Sequence, residues 1–176
     1  MKYILIFLTI FLIGCTSSVK KSDYLVTTLP TIVNTTRFSK VVAVSDIELP
    51  YYLQDGKIPH VVDGKIEFFD SYFADDAEEF IKKRAIYILK NRFKDAFDYP
   101  WKSKSADLIL KIYIKKFITV DKTITLEASY EFYTKKKKLV KKDEYQKSKK
   151  LKDVDEKEIL RAMEKLFDEF IYSITL

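Results

Sequence analysis

The period of the apolar positions changes several times along the chain, and each change marks an element. An apolar run opens the chain at residues 3–13, about half the ~20 residues that a membrane-spanning helix needs. Residues 16–23 are small, polar and charged, the composition of a tether. A short strand is expected at 24–27, loop at 31–39, and a strand over the apolar run 40–47. Pro50 and the pair Asp55 and Gly56 break the chain after that strand. Two apolar runs, 58–62 and 65–69, then flank Asp63 and Gly64. A type I′ turn needs positive φ at both central residues, so Asp-Gly between such runs predicts a β-hairpin.

Helical spacing starts near Asp75. Asp75, Asp76, Glu78 and Glu79 crowd the first turns, where carboxylates oppose the positive helix end. Ala77, Phe80, Ile81, Ala85, Ile88, Leu89 and Phe93 then share a stripe, which Pro100 stops. Period-two alternation comes next. Leu108, Leu110, Ile112 and Ile114 share one face, and Ile124, Leu126, Ala128, Tyr130 and Phe132 another. A weaker strand is expected over 139–147. A last helix, capped by Asp153 or Asp155, carries Ile159, Leu160, Met163, Leu166, Phe167, Phe170 and Ile171 on one stripe. One-faced strands and one-striped helices must cover each other. The expected fold is α+β, a two-layer sandwich with a mainly antiparallel sheet and two helices on one face.

The N-terminal run has a chemical meaning. Lys2 precedes it, and Leu12, Ile13, Gly14 and Cys15 close it in the order of a bacterial lipobox. The small Gly14 admits the peptidase, and the Cys15 thiol takes up the lipid. Cleavage between Gly14 and Cys15 is therefore expected. This divides the chain into a signal peptide (1–14), a lipidated cysteine with its tether (15–23) and a single domain (24–176). Cys15 is the only cysteine, so no intramolecular disulfide can form. Diacylglycerol and an N-acyl chain on Cys15 give stable anchoring, because each buried CH₂ contributes about 0.8 kcal/mol. Thr16 rather than Asp stands after the cysteine, which favours the outer membrane over the inner.

Composition adds charge. The chain carries +6, and loss of Lys2 lowers the mature charge by one. The excess sits at Lys135, Lys136, Lys137, Lys138, Lys141, Lys142, Lys147, Lys149, Lys150 and Lys152. Such a run meets anionic headgroups or an acidic protein, or forms a solvated hairpin turn. Nucleic acid is not an expected partner of an exported chain.

Little else points to chemistry. His60 is the only histidine and lies in a predicted strand. A nucleophilic triad needs a Ser or Cys with a positioned base, and zinc needs three or four ligands at set spacings. Neither pattern is present, and three glycines at 14, 56 and 64 cannot make a phosphate loop. No enzyme, cofactor or metal is expected. The acidic group Asp75, Asp76, Glu78 and Glu79 is of a type that can bind a cation, but the helix start explains it without one. Leu49, Pro50, Tyr51, Tyr52 and Leu53 form a glycine-free apolar loop, which is either core packing or an exposed interface. The same choice applies to Trp101, the only tryptophan.

Three segments resemble the PqiC/YmbA-type family of ABC-transport auxiliary lipoproteins. The first is Val44-Ser45-Asp46-Ile47-Glu48-Leu49-Pro50-Tyr51-Tyr52-Leu53 with Ile58 and Pro59, similar to a family strand that ends in Leu-Pro-x-Tyr-Leu. The second is Glu67-Phe68-Phe69-Asp70-Ser71-Tyr72-Phe73-Ala74, where the family has Trp-Ala before a helix. The third is Tyr99-Pro100-Trp101 before Ala106 and Asp107. The resemblance implies a non-enzymatic lipoprotein on the periplasmic face of the outer membrane. Its partner would be the MCE-domain protein of a transporter that moves phospholipids or other hydrophobic molecules across the periplasm. Because MCE proteins form rings, it also implies a homo-oligomer. The alternatives are an envelope-assembly or structural lipoprotein that docks a different periplasmic complex, and a lipid carrier with an apolar pocket between helices and sheet.

Overall fold

The computed structural model of the chain describes residues 24–25, 27–32, 37–73, 76–100 and 105–176. In chain order the elements are β1 (Tyr24–Leu25), β2 (Phe38–Glu48), α1 (Tyr51–Gln54), β3 (Lys57–Val62), β4 (Lys65–Phe73) and α2 (Ala77–Arg92). They continue with β5 (Phe93–Asp98), β6 (Leu108–Val120), β7 (Thr123–Thr134), β8 (Leu139–Lys150) and α3 (Glu156–Ser173).

The strand with the longest alternation, β6, is the axis. Along one edge it pairs antiparallel with β7, and β8 pairs antiparallel beyond β7. Two strands share its other edge, both parallel to it. β2 pairs with the first half, from Val42 beside Leu108 to Glu48 beside Tyr113, and β3 with the end, where His60 lies beside Thr119. β5 lies outside β2, β4 outside β3, and β1 outside β4. The long ladders are antiparallel, as expected, but β1–β4, β2–β5, β2–β6 and β3–β6 are parallel. Parallel neighbours need a crossover. α2, between β4 and β5, completes the crossover that lays β5 parallel beside β2, a pairing that alternation alone does not encode.

Both long helices serve one continuous core. α2 packs on β2 and β5, α3 on β7, β8 and β3, and the helices touch each other. The alternating faces of β6 and β7 meet them through Leu110, Ile112, Leu126 and Phe132, all fully buried. One residue of the acidic group expected at the helix start caps α2, and Asp155, one of the two candidates, caps α3. Asp76 accepts from the Glu78 and Glu79 N–H groups, and Asp155 from those of Lys157 and Glu158. The hairpin turn is as expected, with φ of 50° at Asp63 and 74° at Gly64.

Several boundaries differ from the sequence reading. Phe93, expected on the helical stripe, opens β5 instead, packing between Phe38 and Phe132 at centroid distances of 5.0 and 5.9 Å. Four residues after Leu89, an apolar side chain fits either a helix face or the first position of a strand. The expected loop at 31–39 gives way to β2 at Phe38, and β8 runs to Lys150 rather than 147.

Candidate functional site

The shared edge of β6 leaves a gap. β2 stops pairing at Tyr113 and β3 starts at Thr119, so the backbone between them lacks a strand partner on that side. The single turn α1 fills the gap. The Phe117 N–H donates to the Tyr52 hydroxyl at 3.0 Å, and Leu53 is 1% exposed beneath it. Burial pushes the Tyr52 phenol pKa up from its ordinary value. Gly56, at φ 70°, turns the chain into β3. The loop expected at 49–53 is thus a helical turn with divided duties. Tyr52 and Leu53 close the core, and Leu49 is partly buried against it. Tyr51 is 75% exposed and stands edge-on to Tyr52, centroids 5.6 Å apart.

Leu49 separates two grooves. One, of about 360 Å³, lies on the sheet face away from the helices and is lined by Glu48, Pro50, Tyr113, Lys115, Glu131 and Lys142. The other, of about 570 Å³, is bordered by Asp46, Glu48, Gln54, Asp76 and Glu78. In the first groove the polar groups satisfy one another. Glu131 accepts from the Tyr133 hydroxyl, from Tyr113 at 3.2 Å and from Lys142 at 3.0 Å, while Lys115 pairs with Glu144 at 2.6 Å. The Tyr133 hydrogen bond, with Lys142 and Tyr113, holds the Glu131 pKa below the usual carboxylate value. Burial and the neighbouring Glu131 push Tyr113 up to about 12. The arrangement is a cross-strand ion and hydroxyl network.

His60 stacks on Phe69 with ring centroids 4.4 Å apart, and its Nδ1 is buried without a hydrogen-bond partner among the described residues. No group of three His, Cys, Asp or Glu side chains suited to a metal occurs among the described residues. No helix among them is long and apolar enough to cross a membrane.

The chain enters the described fold at Tyr24, on the sheet edge opposite β8. Residues 27–32 then cross the helical layer as a strap. Arg84 fixes it, donating to the Thr28 carbonyl at 2.5 Å and gripping Asp168 with bonds of 2.6 and 2.8 Å. Glu164 accepts from the Thr28 N–H at 2.7 Å and from its hydroxyl at 2.8 Å. Arg84 and Glu164 are buried, and sequence reasoning did not single them out. The signal was a charge set among the apolar positions of each stripe: Arg84 beside Ala85, and Glu164 beside Met163. Gly14, Cys15, Asp75, Ala74 and Trp101 lie outside the described residues, as does the Phe73 side chain.

No family model matches the sequence, and no curated protein matches it. Solved structures do match the fold. The Xanthomonas campestris protein XCC0632, of family DUF330, superposes with a TM-score of 0.70 at 11% identity, covering 85% of this chain and 90% of its own. The chain has the fold of a DUF330 structure. A second solved structure, of an uncharacterized protein, gives a TM-score of 0.67 at 12% identity, over 87% of this chain and 95% of the other. A PelC dodecamer from Paraburkholderia phytofirmans gives 0.46 at 15% identity, over 81% and 90% of the two chains, a score too low to bear on fold or assembly.

Proposed function

We propose that the chain is an outer-membrane lipoprotein anchored through Cys15, and that it works without catalysis as the auxiliary component of an MCE-type ABC transport system. It docks the MCE-domain protein on the path of phospholipids or other hydrophobic molecules across the periplasm. The observation that carries this reading is the agreement of two lines. The segments at 44–53, 67–74 and 99–101 resemble PqiC/YmbA-type proteins, and DUF330, the PqiC/YmbA-like family, has a member with the same fold over most of the chain. The lipobox supports the anchor.

The carrier alternative has little support. The apolar space between the helices, lined by Phe80, Ile81, Phe117, Leu160, Met163 and Phe167, holds about 20 Å³. That is room for about one water, which needs ~10–15 Å³ on this measure, and far short of an acyl chain. The docking surface we favour is the Leu49 ridge with Tyr51, because an exposed aromatic beside partly buried apolar residues is a common interface anchor. Tyr52 and Leu53 support it from the core.

A photocrosslinking amino acid in place of Tyr51, expressed in the full-length protein in cells, tests the reading. An adduct with an MCE-domain protein is expected. An adduct with a component of another envelope complex would favour the envelope-assembly alternative.

A further inference from the structure

We infer that the β7–β8 arm is a second membrane contact, one that lays its tip on anionic lipid headgroups. This rests on the lipid-anchor reading and goes beyond it. The turn and β8 of this arm, residues 135–150, hold nine lysines and two carboxylates, an excess of seven against +6 for the whole chain. The rest of the molecule is therefore close to neutral, and the positive field belongs to the arm. Part of the arm's charge is already used within the fold. Lys142 pairs with Glu131, Lys147 with Glu169 at 2.9 Å, and Lys141 donates to Thr175. Lys136, Lys137 and Lys138 form the turn and are exposed, as are Lys149 and Lys150 at the far end of β8.

Edge protection explains part of this pattern. β8 is an edge strand of 12 residues, and lysines deter pairing with another sheet. It does not explain the tip. The ladder slips between Phe132 and Tyr133, where Lys141 and Leu139 are the partners and Val140 is left over. Such a bulge re-aims side chains. Leu139 is 46% and Val140 53% exposed, directly after the four lysines of the turn. Two exposed apolar side chains within a basic cluster match an interfacial lipid contact: apolar groups enter the headgroup boundary and lysines meet its negative charge.

The tether allows it. Cys15 and Tyr24 are nine residue steps apart, a reach of at most ~30 Å. β1 and β8 are opposite edges, five strand spacings apart, or roughly 24 Å. Even with β8 lying edge-on to the bilayer, the anchor reaches. α1 and Tyr51 connect β2 to β3, across β6 from β8, so this pose leaves them away from the lipid.

The test uses the full-length acylated protein. Cys15 is the only cysteine, so once its sulfur is acylated, Val140→Cys provides the one thiol for an environment-sensitive fluorophore. The protein is reconstituted into phosphatidylethanolamine–phosphatidylglycerol vesicles and into phosphatidylcholine vesicles, with Asp63→Cys as the label at the far hairpin. The expected result is a blue shift and severalfold quenching by brominated lipid at position 140, in phosphatidylglycerol vesicles only. The signal should be lost in high salt, where the Debye length shrinks to about 3 Å, and in a variant with Lys136→Glu, Lys137→Glu and Lys138→Glu. Flotation with both vesicle types and an aqueous label at 140 overturns the contact while the anchor stands. So does quenching at 63 in place of 140. A protein that floats with neither vesicle overturns the anchor reading, and the proposal with it.

Discussion

Tyr52 shows how much a single hydroxyl can decide. From the sequence it is one apolar residue in a row of five, with the choice between core and interface left open. In the structure its oxygen is the acceptor for the Phe117 N–H in the strand-free gap on β6. Tyr52→Phe keeps the ring and removes the acceptor, leaving a part-buried N–H unpaired. A loss of about 1–3 kcal/mol is expected, measured as the shift in urea-unfolding free energy. Tyr51→Phe, at an exposed position, should stay within about 0.5 kcal/mol. Glu131 gives a pH prediction. Its folded-state pKa is lowered, so its contribution to stability is complete above the unfolded carboxylate value of about 4.3 and is lost as pH falls through the folded value. Tyr113 works in the opposite direction. Its raised pKa favours the neutral phenol, so its contribution is complete below about 10 and is lost as pH rises toward about 12. Glu131→Gln should flatten the acid limb of stability against pH, and Tyr113→Phe the alkaline limb. Limbs identical to those of the parent protein would mean that the network contributes nothing to folding.

At the scale of elements, legibility tracked periodicity. β6 and β7 alternate cleanly and were readable, as was the hairpin, because Asp63 and Gly64 state its turn chemistry. α3 was readable from its stripe, with Asp153 and Asp155 as competing caps. The structure assigns the cap to Asp155, whose carboxylate takes the Lys157 and Glu158 N–H groups. Asp155→Ala should cost about 1 kcal/mol. Asp153→Ala should cost less, since Asp153 pairs with Lys122 between exposed side chains. Equal losses in thermal or urea unfolding would contradict the assignment. β5 was not readable. In Phe-Lys-Asp-Ala-Phe-Asp the buried positions are Phe93 and Ala96, three apart, which is helical rather than strand spacing and continues the stripe of α2. The strand exists because β2 offers a parallel edge and α2 delivers the chain to it, a tertiary cause. The strap at 27–32 is similar. Thr28 has no local reason to be fixed until Arg84, Glu164 and Asp168 are brought together by two helices distant in sequence.

At the scale of the whole molecule, the described residues form a filled core, two grooves either side of Leu49 and a basic arm. These features are the ground on which we propose a docking module rather than a carrier. The candidate site was only partly legible. The sequence located the five-residue segment at 49–53 but could not divide it, because Tyr51 and Tyr52 differ in exposure and not in residue type. The lysine run was legible as a hairpin, but its asymmetry was not: Leu139 and Val140 become notable only once the bulge and their exposure are known. The central claim concerns the job of the anchored protein, and co-purification tests it most directly. The full-length protein, acylated on Cys15, is isolated from membranes in mild detergent, and its partners are identified by mass spectrometry after cross-linking. Recovery of an MCE-domain protein, with or without its permease and ATPase, and its loss from a Cys15→Ser variant, is the predicted result. Recovery of a different envelope complex with no MCE-domain protein would contradict the account, leaving the fold as described and the function reassigned.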